Sequence, residues 1–149
     1  MRHLLLVLIG LLLGCSEATN STGMISKKIG EIVHTPGAKE LDLSKLTSFG
    51  WDYFLATPPG ISREEVCKLI NASRNNCGRI IRIERAPEDH VYLLFGKAGN
   101  LTHVELHALS NGVFEVEFTD GGFPKGKSVF LIRRSYTGRE RDAIRLEAK

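Results

Sequence analysis

His103-x-Glu105-x-His107 is the part of this 149-residue chain whose residue types and spacing come nearest to chemistry. On a β-strand alternate side chains share a face, so two imidazoles and a carboxylate would stand together. Zinc and similar ions accept such nitrogen and oxygen donors. If a hairpin joins this segment to the apolar run that follows, Glu115 and Glu117 stand opposite His107 and Glu105. His103, Glu105, His107 and Glu115 are therefore the candidate metal ligands. An amphipathic sheet must also present a polar face to water, and these residues would serve that purpose without an ion. His34 and His90 are isolated and suggest no site.

A second pattern is formally stronger and chemically weaker. Gly121-Gly122-Phe123-Pro124-Lys125-Gly126-Lys127-Ser128 matches the phosphate loop G-x-x-x-x-G-K-[ST] at every position. That loop works only when a helix follows the serine, so that helical amide groups cradle the phosphates. Val129-Phe130-Leu131-Ile132 favours a strand instead, and a glycine-rich hairpin loop is the expected structure. No nucleotide is expected as a partner.

The remaining reactive groups offer little more. There is no G-x-S-x-G and no H-E-x-x-H, so a nucleophile or metalloprotease site has no linear signature. Arg79, Arg82 and Arg85 open one segment, and Arg133, Arg134, Arg139, Arg141 and Arg145 crowd the C-terminal part. Guanidinium groups suit phosphate or carboxylate, but interspersed Glu140, Asp142 and Glu147 point to a mixed solvated surface. A formal charge of +3 spread along the chain excludes the concentrated basic footprint of a nucleic-acid binder.

Met1, Arg2, the apolar run Leu4 to Leu13 and Gly14 have the charged, hydrophobic and small-residue zones of an export signal. The run is far shorter than the roughly 20 residues that cross a bilayer as a helix, so it reads as cleaved. Leu12-Leu13-Gly14-Cys15 resembles the lipobox of bacterial lipoproteins. That resemblance implies a diacylglyceryl group on Cys15, removal of residues 1–14, and acyl chains that hold the protein to a membrane. Ser16, where an aspartate would mark retention, implies the outer membrane facing the periplasm if the cell has one. An ordinary secretory signal cut near Gly14 or Ala18 is the simpler alternative. Cys67 and Cys77 then remain as one pair. Outside the cytoplasm an even count favours a disulfide, with two free thiols or half a metal site as the alternatives.

Residues 15–40, rich in Ser, Thr, Asn and Gly with a Pro36-Gly37 turn, read as a flexible tether. Within them the alternation Ile29, Glu31, Val33 could add an edge strand. A single domain is expected over 41–149. Phe49 to Leu55 reads as a strand that Thr57-Pro58-Pro59-Gly60 ends. Ser62 and Glu65 form the S-x-x-E capping box of a helix with Val66, Leu69 and Ile70 on its apolar face. Arg74-Asn75-Asn76 reads as a polar loop leading to Cys77. Strands are expected near 80–84, 90–95, 101–109, 113–119, 128–134 and 143–147. Ser110-Asn111-Gly112 supplies a three-residue loop, with Gly112 left-handed, that would hairpin 104–108 onto 114–118. The whole reads as an α+β fold: an antiparallel sheet of five to seven strands with one covering helix.

The order Phe49-x-Trp51-Asp52, an aromatic strand, Pro58-Pro59 and Ser62-x-x-Glu65 is similar to small uncharacterised bacterial lipoproteins and secreted proteins. It carries over no functional residue. Trp51 reads as a core anchor and Asp52 as a hydrogen-bond acceptor; otherwise the two, beside Pro58 and Pro59, would make an aromatic interaction surface. The expectation is a lipid-anchored, non-enzymatic interaction or structural module without cofactor. Its partners would be the membrane, through the lipid, and another envelope protein. The alternative is a ligand- or metal-binding lipoprotein using the face around His103, Glu105 and His107.

Overall fold

A computed structural model describes residues 22–119, 121–135 and 143–149. The expected signal and Cys15 lie outside the described residues. The class is α+β, as expected, but the described strands form two four-stranded sheets and there are three α-helices among the described residues. One sheet has the order β1 (Glu40–Asp42), β7 (Val129–Ser135), β8 (Ala143–Ala148), β5 (Val113–Glu115). The other has the order β4 (Asn100–Ala108), β3 (His90–Lys97), β2 (Tyr53–Ala56), β6 (Phe123–Pro124).

The two sheets share one core and the second sheet backs onto another. Phe54 of β2, Val91, Leu93 and Phe95 of β3, Phe130 and Ile132 of β7 and Leu146 of β8 form the first cluster. Tyr92 and Leu94, the alternate residues of β3, join Leu106, Val66, Cys77 and Ile81 in the second. Because strand side chains alternate, β3 feeds both clusters and is buried over six successive residues, Val91 to Gly96. It is the spine of the molecule.

The expected tether is corrected from Thr22 onward. Met24–Val33 forms a helix, α1, with Ile25, Ile29 and Val33 buried in the first cluster. Their spacing is that of one helix face, and burying each contributes about 2 kcal/mol. A strand through Ile29, Glu31 and Val33 would have shared that face with Glu31, which the helix turns to solvent. Arg134 closes the other end of α1. Its Nη2 donates to the carbonyls of Val33 at 2.7 Å and Thr35 at 3.2 Å, and Nη1 to Ala38 at 2.8 Å. These carbonyls lie at and just past the helix end, where no intrahelical donor remains.

Helix α2 (Arg63–Leu69) begins at the capping box read from the sequence: the Glu65 amide donates to Ser62 Oγ, and the Ser62 amide donates to Glu65 Oε2 at 2.9 Å. Val66 is fully buried and Ile70 half-buried, whereas Leu69 is exposed, so the apolar face is narrower than expected. The polar loop at Arg74 is corrected to a third helix, α3 (Arg74–Ile80), and the strand expected at 80–84 is absent from the described structure. Short segments 61–63 and 84–86 pair instead, through Arg63 N–H to the Glu84 carbonyl and Ala86 N–H to the Ile61 carbonyl.

The expected hairpin from 104–108 to 114–118 is also overturned. Strand β4 pairs with β3, and β5 pairs in parallel with β8 in the other sheet. Gly112 has φ 116° and ψ 143°, an extended glycine conformation that carries the chain away from β4 and does not fold it back. The tight turn of the second sheet lies elsewhere. Ala98 and Gly99, with φ 49° and 78°, join β3 to β4 as a two-residue hairpin turn.

Candidate functional site

The three residues His103, Glu105 and His107 do share one face of β4, but that face is turned inward. In the β3–β4 register they stand opposite Phe95, Leu93 and Val91, all of the first cluster. Helix α1 packs on Glu105 and His107, and Phe49 stacks on the partly exposed His103. The expectation of a solvated polar face is thus corrected, and each side chain has a structural partner.

Glu105 takes over the capping of α1. The helix starts at Gly23, which has no side chain to offer, and the amides of Ile25 and Ser26 donate to Glu105 Oε2 and Oε1 at 3.2 and 2.7 Å. A carboxylate there satisfies free amide groups and faces the positive end of the helix dipole. A Cβ on Gly23 would collide with the Glu105 side chain, so the missing cap and the imported one require each other. His103 Nε2 lies 3.0 Å from Glu105 Oε2, and its ring stacks on Phe49 at 4.5 Å between centroids.

His107 is wholly buried and belongs to a closed network. Its Nε2 lies 2.7 Å from the Gly112 carbonyl, which can only accept, so Nε2 carries the proton. Nδ1 then accepts from the Ser26 hydroxyl at 2.9 Å. Ser26 Oγ in turn accepts from the Ala108 amide at 3.2 Å and from Asn111 Nδ2 at 3.1 Å. One donor and two acceptor positions are all that a hydroxyl has, and all are used. Burial holds the imidazole below its ordinary pKa, against the opposing pull of the Gly112 carbonyl and the Glu105 charge; His90 adds to the lowering.

A serine beside a histidine has the composition of a nucleophile and its base. Here both are 0% exposed and no lone pair of Oγ is open, so no substrate can reach the pair. Ser26 does not stand out in the sequence, and Asn111 does so only as part of the expected 110–112 loop. The readable signal was the helical spacing of Ile25, Ile29 and Val33, which would have placed Ser26 beside a buried stripe.

Glu115 does not join this group. It pairs with Arg145 at 3.6 Å in the other sheet. No group of three or more His, Cys, Asp or Glu among the described residues is arranged to hold a metal ion.

Trp51 is 1% exposed, which removes it from any interaction surface. Its Nε1 donates to Thr47 Oγ1 at 2.8 Å, its ring meets Phe54 and Phe95 edge-on, and the Lys125 ammonium covers it at 5.3 Å. Asp52 is exposed and accepts from the Ala98 amide at 3.2 Å, pinning the β3–β4 turn. Where the phosphate-loop pattern falls, Lys125–Lys127 makes one 3-10 turn and β7 follows Ser128. The helix that phosphate binding requires is replaced by a strand.

The sulfur atoms of Cys67 and Cys77 are at bonding distance, 1.96 Å, and the pair ties α2 to α3. Because α3 replaces the polar loop expected before Cys77, the pair joins two helices. Of the arginines, Arg134 binds α1, Arg133 pairs with Glu147, and Arg85 donates to the Gly60 carbonyl at 2.5 Å. Arg139 and Arg141 lie outside the described residues.

Compared with protein families, curated proteins and solved structures, the chain matches none.

Proposed function

We propose that this is an exported, lipid-anchored protein of a bacterial envelope whose domain serves as a non-enzymatic interaction or structural module. Leu12-Leu13-Gly14-Cys15 supports the anchor. The observation that carries the module reading is the employment of the most reactive-looking residues: Ser26, Glu105 and His107 hold α1 onto the sheet, and His103 meets Glu105 from beside it. Ser26 and His107 are 0% exposed and the Glu105 carboxylate is bonded to helix amides, so these groups are committed to one another and not to a substrate.

The start of α1 sharpens the anchor's geometry. The Gly23 amide donates to the Leu106 carbonyl at 2.8 Å, so the folded domain is already engaged at residue 23. Only residues 16–21 separate a lipid on Cys15 from Thr22, a reach of at most about 25 Å when fully extended. A tether running to residue 40 would have reached several times further. The module therefore works close to the bilayer, on partners at that surface.

The test is the intact mass and location of the protein in a bacterial host. A membrane-bound species starting at Cys15 with acyl chains, and a soluble Cys15→Ala variant, are the expected results. An unmodified soluble wild type would overturn the anchor.

A further inference from the structure

We propose that Asn111-Gly112 is a self-modification site, at which spontaneous deamidation of Asn111 turns the clasp of α1 into a repulsive contact and releases the helix. It is the one Asn-Gly pair in the chain. In such a pair the glycine has no side chain to keep its nitrogen from the neighbouring amide group. The Gly112 nitrogen attacks Asn111 Cγ, the Cγ–Nδ2 bond breaks, and the Nδ2 group leaves as ammonia with the Gly112 proton. Water then opens the five-membered imide at either carbonyl, which leaves aspartate or its isoaspartate isomer.

The fold holds both reacting groups. Asn111 Nδ2 donates to the Ser26 carbonyl at 3.0 Å and to Ser26 Oγ at 3.1 Å. A carbonyl can only accept, so the amide group meets α1 with its nitrogen. The rest of the group lies against Gly30, where a Cβ would stand 2.5 Å from Asn111 Oδ1, so glycine at this helix position is what admits it. The Gly112 N–H donates to the Leu109 carbonyl at 3.0 Å, and the Gly112 carbonyl accepts from His107 Nε2 at 2.7 Å. While α1 is docked, neither the amide group nor the attacking nitrogen is free to turn. Reaction therefore requires α1 to open, and its rate follows the population of opened molecules.

The product cannot close again. A carboxylate at position 111 brings only acceptors to the Ser26 carbonyl, and docking α1 over it leaves a charge without a partner. Turning the Ser26 hydroxyl toward that carboxylate takes it from His107 Nδ1. Release is thus one-way. On the Cys15 anchor proposed above it adds residues 22–39 to the tether, although the site itself needs no anchor.

The test incubates the purified full-length chain in mildly alkaline buffer and follows residue 111 by peptide mapping and mass spectrometry. The amide should be lost readily in concentrated urea and at least about a hundredfold more slowly in native buffer. Glu105→Ala, which uncaps α1, should speed the native reaction about thirtyfold, and Arg134→Lys, which loosens the other end, about tenfold. Asn111→Asp should lose hydrogen-exchange protection in α1 while β3 keeps its own. An amide retained in urea would overturn the reaction. Equal rates in the folded and unfolded chain, or a wild-type rate in either variant, would overturn the guard by α1. Wild-type protection of α1 in Asn111→Asp would overturn the release.

Discussion

His107 Nδ1 accepts the hydroxyl of Ser26 at 2.9 Å across 81 residues of sequence, and this bond joins α1 to the edge strand of the second sheet. It requires a neutral imidazole. Protonation would place the ring's second hydrogen, on Nδ1, facing an oxygen whose acceptor positions are filled.

Stability therefore depends on pH with a definite sign. Burial lowers the folded-state pKa of His107 from its ordinary 6.5. Above pH 6.5 both folded and unfolded states are neutral at this residue, and its contribution is fully present. As the pH falls below that value the unfolded chain takes up a proton that the folded chain refuses, and stability drops by at most about 1.4 kcal/mol per pH unit. Urea melts at descending pH should show this loss, and His107→Gln should remove much of the slope. An equal slope in the variant would assign it to other groups.

Glu105→Ala removes the acceptor for the Ile25 and Ser26 amides. A loss of about 2 kcal/mol is expected, since charge-assisted bonds to buried amides are lost together. Hydrogen exchange should locate the change in α1, while β3 keeps its protection.

Arg134→Lys retains the charge and loses the fork. One ammonium cannot reach the carbonyls of Val33, Thr35 and Ala38 together, and stability is expected to fall by about 1–2 kcal/mol. Chemical denaturation with an unchanged slope would check it.

Ala98 adopts a left-handed conformation that asparagine tolerates better. Ala98→Asn should raise stability by about 0.5 kcal/mol. A thermal melt that moves downward would mean that the new side chain disturbs the Asp52 contact.

Reducing the Cys67–Cys77 pair opens a loop of sequence separation 10, worth about 2.5 kcal/mol in the chain-entropy treatment. Because α2 and α3 pack on the second cluster, exchange should rise there first and leave the first cluster closed. Uniform loss of protection would show that the two clusters unfold as one.

What could be read from the sequence was local. The capping box at Ser62 and Glu65 is complete within four consecutive residues, and β3 announces itself by an unbroken apolar run. The cysteine pair followed from parity and compartment. The α1 helix was missed because its first turn has no capping side chain of its own; the cap comes from Glu105. The same long-range fact hid the meaning of His103, Glu105 and His107. Period-2 spacing places them on one face correctly, but nothing local says whether that face meets water or a helix folded from residues 24–33. The hairpin at Gly112 failed for a related reason. The three-residue loop is locally acceptable, but the partner of β5 is set by β8, whose pairing was invisible in the intervening chain.

Burial on both faces makes β3 the spine of the folded protein, and it has a consequence before folding. Val91-Tyr92-Leu93-Leu94-Phe95-Gly96 carries no charge and no proline. In a nascent or denatured chain, such a run pairs readily with copies of itself, and only the arrival of β2 and β4 on its two sides removes that option. Solubility during refolding should consequently fall with protein concentration far sooner than the stability of the finished domain would suggest.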